Sequence, residues 1–337
     1  MRKRNTFKLK TKKTTFIQFI TQILIIMIKT TTESDITLES LEKKLVIDFG
    51  HRSRVWLVEH RHTFYALKEV AKAGLSEIEV RHLFEEKQAL SSLKHPNIIK
   101  LITTFKDHTN IYFLLELAKG APLSHILKQQ RRFPIEQVQS IALQIANTLA
   151  YIHAEGYIYR DLKLSNVLLD DTGKVVFVDL GLCKKINNEK AYTVTGTRHA
   201  MSPEMFKHLI DGTEPSGYSY EIDWWALGIL TYELLKSSPP FGLYGEDLFP
   251  HILRGLDYVD MTEVPEIACD FIRKLLNPDL SLRLGHNSSN EVLDHQFLRT
   301  APPLIVPNST QLQVIQSWCE FIDPSEQVSE QDLFREF

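Results

Sequence analysis

Residues 158–166 read IYRDLKLSN. Arg160, Asp161, Lys163 and Asn166 crowd together here, flanked by the apolar Ile158 and by Val167, Leu168 and Leu169. Neither a two-residue nor a 3.6-residue period runs through the stretch, so it reads as a loop. A carboxylate, an ammonium and a carboxamide so close on one loop demand a specific chemistry. Thirteen residues beyond Asn166, VFVDLGL (176–182) puts Asp179 just after a strand, with Gly181 following.

The surroundings are regular from residue 41 onward. KKLVIDFG (43–50), RVWLVEH (54–60) and TFYALKEV (63–70) are rich in β-branched and aromatic residues and read as strands. Residues 77–93 place Ile78, Leu83, Phe84, Leu90 and Leu93 near helical spacing, and Pro96 stops that helix. IYFLLEL (111–117) reads as a further buried strand. After Gly120 the character changes. IEQVQSIALQIANTLAYIHAEG (135–156) predicts a long amphipathic helix ended by Gly156. EIDWWALGILTYELLK (221–236) is apolar nearly all round, as a helix buried in a larger lobe would be. The predicted fold class is α+β: a small β-rich N-lobe over 41–118 and a larger helical C-lobe over 119–298, with Lys119–Gly120 as the junction.

This layout gives the opening loop a chemistry. Phosphoryl transfer to a hydroxyl needs an acceptor for the hydroxyl proton, a cation at the travelling phosphate and oxygen ligands for Mg²⁺. Asp161, Lys163 and Asn166 supply these types, and Asp179 adds a second metal-binding carboxylate. Lys68, on the third strand, and Glu86, on the helix after it, are spaced to form an ion pair that aims the lysine at the α and β phosphates.

The chain of 337 residues is 43% hydrophobic and 24% charged, an ordinary globular composition. The net charge of −3 is uneven. Residues 1–32 carry Arg2, Lys3, Arg4, Lys8, Lys10, Lys12, Lys13 and Lys29 and no acid, leaving about −11 on the rest. An acidic body argues against a nucleic-acid partner. Cys183, Cys269 and Cys319 form no CxxC pair, so a disulfide framework or Cys-rich zinc site is excluded and a reducing, cytoplasmic setting is expected. The apolar run at 16–28 follows the basic segment but is short of the roughly 20 residues that span a bilayer. Residues 1–40 read as an extension outside the core, with membrane contact by residues 1–32 as the alternative.

In order along the chain, YALK (65–68), YRDLKLSN (159–166), DLG (179–181), SPE (202–204), DWWALG (223–228), SPPF (238–241) and RLG (283–285) resemble the motifs of a eukaryotic protein kinase. DLGLCKK, TVTGT, LLNPDLSLRLG and a C-terminal FREF are similar to the AGC group, the Ser/Thr kinases related to cyclic-nucleotide-dependent kinases and protein kinase C. The resemblance implies ATP and Mg²⁺ as cofactors and proteins as substrates. It makes Asp161 the acceptor of the substrate hydroxyl proton, Lys163 the contact to the γ-phosphate, Lys68 and Glu86 the phosphate-anchoring pair, and Asn166 and Asp179 the metal ligands. Ile47, Gly50, Val55, Ala66, Leu115 and Leu168 would enclose the nucleotide, with the backbone between Glu116 and Ala118 bonding the adenine edge. Glu204 and Arg283 would be a buried structural pair. Thr193 would carry an activating phosphate, placed by an upstream kinase and held by Arg160, Lys184 and His82. Residues 299–337 would be an AGC-type tail whose Phe334 and Phe337 dock on the small lobe.

Departures from the pattern leave a second function class open. The glycine-rich loop reads DFGHRSRV, so Asp48 and Ser53 flank Gly50 where glycines are usual. Tyr159 replaces the usual His of the catalytic loop, and Leu180 replaces Phe in DLG. An active Ser/Thr kinase and a nucleotide-binding pseudokinase scaffold are the two readings, and the complete catalytic set favours activity. Acids that select substrate Arg in such kinases are replaced by Pro122 and Ser165, with Glu233 kept. This predicts weak Arg preference.

Overall fold

β-branched and aromatic residues of the N-terminal stretches pair into one antiparallel sheet. The computed structural model describes residues 35–303 apart from 51, 188, 244, 246 and 247. Its β1 (Glu42–Phe49), β2 (Ser53–His60), β3 (Thr63–Ala71), β4 (Leu101–Lys106) and β5 (Asn110–Glu116) lie in the order β1-β2-β3-β5-β4. Register decides what each face carries, because side chains alternate along a strand. Val58, Tyr65, Leu67, Tyr112 and Leu114 form a core on one face, joined by Ile36, Leu38, Leu41 and Trp56. Val55 pairs with Lys68, which pairs with Phe113; Leu57 pairs with Ala66, which pairs with Leu115. These six therefore share the opposite face.

The chain divides into two compact units. Among the described residues, 35–74 and 101–117 make the first, and 75–100 and 118–303 the second. The passage from one to the other falls at Leu117–Ala118, just before Lys119–Gly120. Gly120 has φ +96, and a Cβ there would lie 2.2 Å from the Leu169 carbonyl oxygen, so only glycine fits.

The second unit begins with α1 (Glu77–Ser92), which groups with it rather than with the sheet. Ser76 caps the helix reciprocally: its hydroxyl accepts from the Glu79 amide, and Glu79 Oε2 accepts from the Ser76 amide at 2.8 Å. There follow β6 (Ala121–Pro122), α2 (Leu123–Gln130), α3 (Ile135–Ala154), β7 (Tyr157–Ile158), β8 (Val167–Leu169), β9 (Val175–Phe177) and β10 (Lys184–Lys185). Then come α4 (Pro203–Asp211), α5 (Glu221–Lys236), α6 (Leu248–Arg254), α7 (Glu266–Leu275), α8 (Ser289–Leu293) and α9 (Gln296–Arg299). On α5 every residue from 222 to 234 is buried, as its all-round apolar sequence requires, and it packs against both α3 and α7. Among the described residues no helix is long and apolar enough to cross a membrane. The 16–28 run, Phe334 and Phe337 lie outside those residues.

Candidate active site

The loop that opened the sequence reading is held from below by α5. Asp223 is 1% exposed; its Oδ2 accepts from the Tyr159 amide at 2.8 Å and its Oδ1 from the Arg160 amide at 2.9 Å. His153 Nε2 lies 2.8 Å from the same carboxylate. These bonds hold Arg160 at φ 69, a left-handed conformation that a non-glycine residue adopts only when its surroundings enforce it. Asp161 follows directly, with its side chain 12% exposed.

Asp161 is gripped at both oxygens. Oδ1 accepts from the Thr197 hydroxyl at 2.6 Å. Oδ2 accepts from Asn166 Nδ2 at 2.8 Å and pairs with Lys163 Nζ at 3.0 Å. Thr197 reaches it because Gly196, at φ +110, runs against the Arg160 carbonyl, where a Cβ would come within 2.6 Å. Asn166 directly precedes β8, and Asp179 lies two residues past the end of β9. Val167 pairs with Phe177, and the Val178 amide donates to the Asn166 carbonyl at 3.1 Å, so the hairpin sets these two residues side by side. With Asn166 Nδ2 turned to Asp161, its carboxamide oxygen is the atom offered to a cation. A carboxamide and a carboxylate oxygen suit a hard ion such as Mg²⁺.

Tyr159 completes the floor. It is buried, packs edge-on to Phe177 at 5.0 Å and donates from its hydroxyl to the Asp179 carbonyl at 2.8 Å. Burial, and then the charges of Asp179 and Asp161, hold its phenol well above the ordinary value. It is therefore a donor that places Asp179 and not an acid–base group. Cys183 is equally buried, and desolvation pushes its thiol far above the reactive range.

In the first unit, Lys68, Val55, Ala66 and Leu115 share one sheet face, with Lys68 half-buried at the end of that group. Ile47 packs with Leu45 and Leu117 on the Leu57–Phe64 cluster. The Gly50 amide donates to the Ser53 carbonyl at 2.8 Å, closing the turn between β1 and β2, and Asp48 is exposed. Glu116 ends β5, and Ala118 opens the second unit. In that unit Leu168 is buried on β8 and Glu86 is 3% exposed on α1.

The protein kinase domain profile matches residues 41–298. This chain belongs to the protein kinase domain family. It is 33% identical over 273 residues to the cAMP-dependent protein kinase catalytic subunit of Arthrobotrys oligospora, covering 79% of this chain and 51% of that one. It is 34% identical to the serine/threonine protein kinase ypkA of Aspergillus fumigatus, covering 79% and 42%. A cAMP-dependent protein kinase catalytic subunit-like protein of Caenorhabditis elegans is 31% identical over 294 residues, covering 82% of this chain and 71% of that one. The chain spans about half the length of the first two of these relatives. The first and third of these are named as cAMP-dependent protein kinases or as like them, relatives of the kind to which the sequence resemblance pointed.

Elsewhere in this kinase domain, the expected phosphate-holding residues meet around an acid. Arg160 donates from Nε to the Leu182 carbonyl at 2.6 Å and from Nη1 to the Tyr218 hydroxyl at 3.4 Å, which itself donates to the Thr193 carbonyl at 2.6 Å. Glu85 lies 3.5 Å from Arg160 Nη2 and 3.8 Å from Lys184 Nζ. Burial, and next the charge of Arg160, push the His82 imidazole below its usual value. The Thr193 side chain is exposed. Arg283 makes a two-pronged pair with Glu204, at 2.5 and 2.9 Å, under cover of Trp225. DWWALG and TVTGT contain Asp223 and Thr197, but the sequence alone gives neither a role and does not mark Glu85. For Asp223 a signal existed: an acid inside an otherwise apolar buried helix must find partners.

Proposed function

We propose that this chain is a serine/threonine protein kinase that transfers the γ-phosphoryl group of ATP to hydroxyls of protein substrates. The observation that carries the reading is the doubly gripped Asp161 beside Asn166, Lys163 and Asp179. Asp161 accepts the hydroxyl proton as the hydroxyl oxygen attacks phosphorus, and its two fixed oxygens keep it aimed there. Lys163 offers its ammonium to the γ-phosphate. Asn166 and Asp179 hold Mg²⁺, which supplies charge neutralisation on the phosphates when bound. Lys68, oriented by Glu86, anchors the α and β phosphates. Ile47, Gly50, Val55, Ala66, Leu115 and Leu168 enclose the nucleotide, and the backbone of Glu116 and Ala118 bonds the adenine edge. What supports this is the shared face of the sheet residues and the burial of Leu168.

Thr193 is the site of an activating phosphate from an upstream kinase. The relay from Arg160 through Tyr218 to the Thr193 carbonyl supports it. Preference for Arg in the substrate is weak. Pro122 and Ser165 stand where acids would select it, and His199 Nε2 already lies 3.4 Å from the remaining acid, Glu233. The free, buried Cys183 and Cys269 fit a cytoplasmic setting. Residues 299–337 act as a tail that docks Phe334 and Phe337, and residues 1–40 are an extension outside the core, with membrane contact by residues 1–32 as the alternative. A nucleotide-binding scaffold is the second reading, favoured only by the exposed Asp48 beside Gly50.

Peptide-array phosphorylation with Mg-ATP tests the activity and the preference together. Wild-type protein should label Ser/Thr peptides without strong selection for upstream Arg, and Asp161→Ala should label none. Equal labelling by the two proteins would remove the assignment. Nucleotide binding without any labelling would favour the scaffold.

A further inference from the structure

The charge most deeply enclosed beside the reacting carboxylate belongs to Arg160. Its side chain is 1% exposed, and its Nη2 has no hydrogen-bond acceptor. A guanidinium cannot shed its proton to escape burial, so it needs a nearby anion. Asp223 is spent on backbone amides and His153. Glu85, on α1, is the carboxylate that faces both this guanidinium, at 3.5 Å, and Lys184, at 3.8 Å. It therefore joins α1, the loop before Asp161 and β10, all within the second unit.

We propose that Glu85 is a positioning residue for Asp161: its carboxylate balances the buried Arg160 guanidinium and keeps the catalytic loop in working shape in protein that carries no phosphate. The proposal rests on Asp161 being the catalytic carboxylate. Arg160 transmits the effect because it is bonded at its left-handed backbone to Asp223, at Nε to the Leu182 carbonyl and at Nη1 to the Tyr218 hydroxyl, while its Nη2 faces the Glu85 carboxylate at 3.5 Å. Without the carboxylate, the guanidinium would turn toward water and take the strained backbone, and hence Asp161, with it. A phosphate on Thr193 would act near the same cation, since the Tyr218 hydroxyl links Arg160 Nη1 to the Thr193 backbone carbonyl. The two anions are thus alternatives, and Glu85 is the one the chain carries in itself.

The test uses full-length protein treated with phosphatase, its lack of phosphate confirmed by intact mass. Phosphatase should lower wild-type kcat less than tenfold, and a larger loss would overturn the proposal without any variant. In the unphosphorylated state Glu85→Gln should lower kcat tenfold or more, with KM for ATP changed less than threefold and the melting midpoint near that of wild type. Phosphorylating Thr193 in that variant should return most of the lost kcat. Unphosphorylated Glu85→Gln with wild-type kcat, or a loss that phosphorylation does not repair, would overturn the proposal. Asp161→Asn is the control for the underlying reading. If it turns over normally, the catalytic assignment itself fails; if it is inactive while Glu85→Gln is not, only the role of Glu85 fails.

Discussion

Tyr159 shows how much one side chain can do without touching a substrate. Its hydroxyl donates to the Asp179 carbonyl from a fully enclosed position. Tyr159→Phe removes that bond and leaves the carbonyl buried without it, which costs about 1 kcal/mol and so about fivefold in rate. Steady-state assays should show lower kcat and weaker use of Mg²⁺; unchanged values at limiting Mg²⁺ would contradict the placing role. Ser202 makes the opposite case. It is wholly buried, and its hydroxyl has no partner. Ser202→Ala removes an unsatisfied group, so thermal unfolding should show equal or greater stability, by up to about 1 kcal/mol. At this scale the sequence marks candidates wherever a side chain's type suggests its chemistry, as with Asp161, Asn166 and Asp179, and the structure brings Asp161 and Asn166 into contact. The sequence does not mark Glu85 or Thr197, whose work depends on meeting residues 75 and 36 positions away; for Asp223 the acid in an apolar helix is a signal, but not which partner it meets 64 positions away.

Elements were legible where burial leaves a strong apolar pattern. β2 and β3 carry buried runs of β-branched and aromatic residues, and α5 is buried from 222 to 234, so their patterns were strong. β4 went unread. It is the edge strand, half-exposed at every position but the last, which is exposed, and such a strand leaves no contrast between its faces. At the start of α1, Ser76 and Glu79 satisfy each other's backbone amides. Ser76→Ala should cost about 1 kcal/mol of stability in denaturant titration. α4 and the turn before Gly285 are tied by Glu204 and Arg283, a pair whose guanidinium is fully enclosed. Arg283→Ala strands a largely enclosed carboxylate and should cost about 3 kcal/mol, visible as a large fall in melting midpoint. A fall of under 1 kcal/mol would mean that the pair is not the lock its geometry describes.

For the whole molecule, charge and protonation set the working range. Burial is the first cause that holds His82, His95, His125 and His295 below the ordinary histidine value of 6.5. Near pH 6 the unfolded chain therefore binds more protons at these positions than the folded one. Stability from them is fully present above the unfolded value of 6.5 and is lost as pH falls through it toward the lower folded values. Asp270 and Asp279 are held below 3.8, chiefly by hydrogen bonds from Lys274 and Ser281, and their contribution is lost at still lower pH. The denaturation midpoint should thus be lower at pH 5.5 than at pH 7.5, and equal midpoints would contradict the histidine effect. The change of pattern after Gly120 lies close to the passage at Leu117–Ala118, but the expected N-lobe of 41–118 does not coincide with the first unit, because residues 75–100 group with the second. The meaning of residues 1–34 and 304–337 was not legible, since short basic and apolar runs do not by themselves fix a packing partner.

The central claim is a division of labour between two carboxylates, Asp161 for the hydroxyl and Asp179 for the metal. It is tested most directly by measuring peptide phosphorylation and Mg-ATP binding side by side for Asp161→Asn and Asp179→Asn. Asp161→Asn should bind Mg-ATP within about threefold of wild type while losing at least about 100-fold in turnover, the scale expected of a positioned general base. Asp179→Asn should lose Mg²⁺-dependent binding and turnover together. Wild-type turnover in Asp161→Asn, or the same loss of Mg-ATP binding in both variants, would contradict the account.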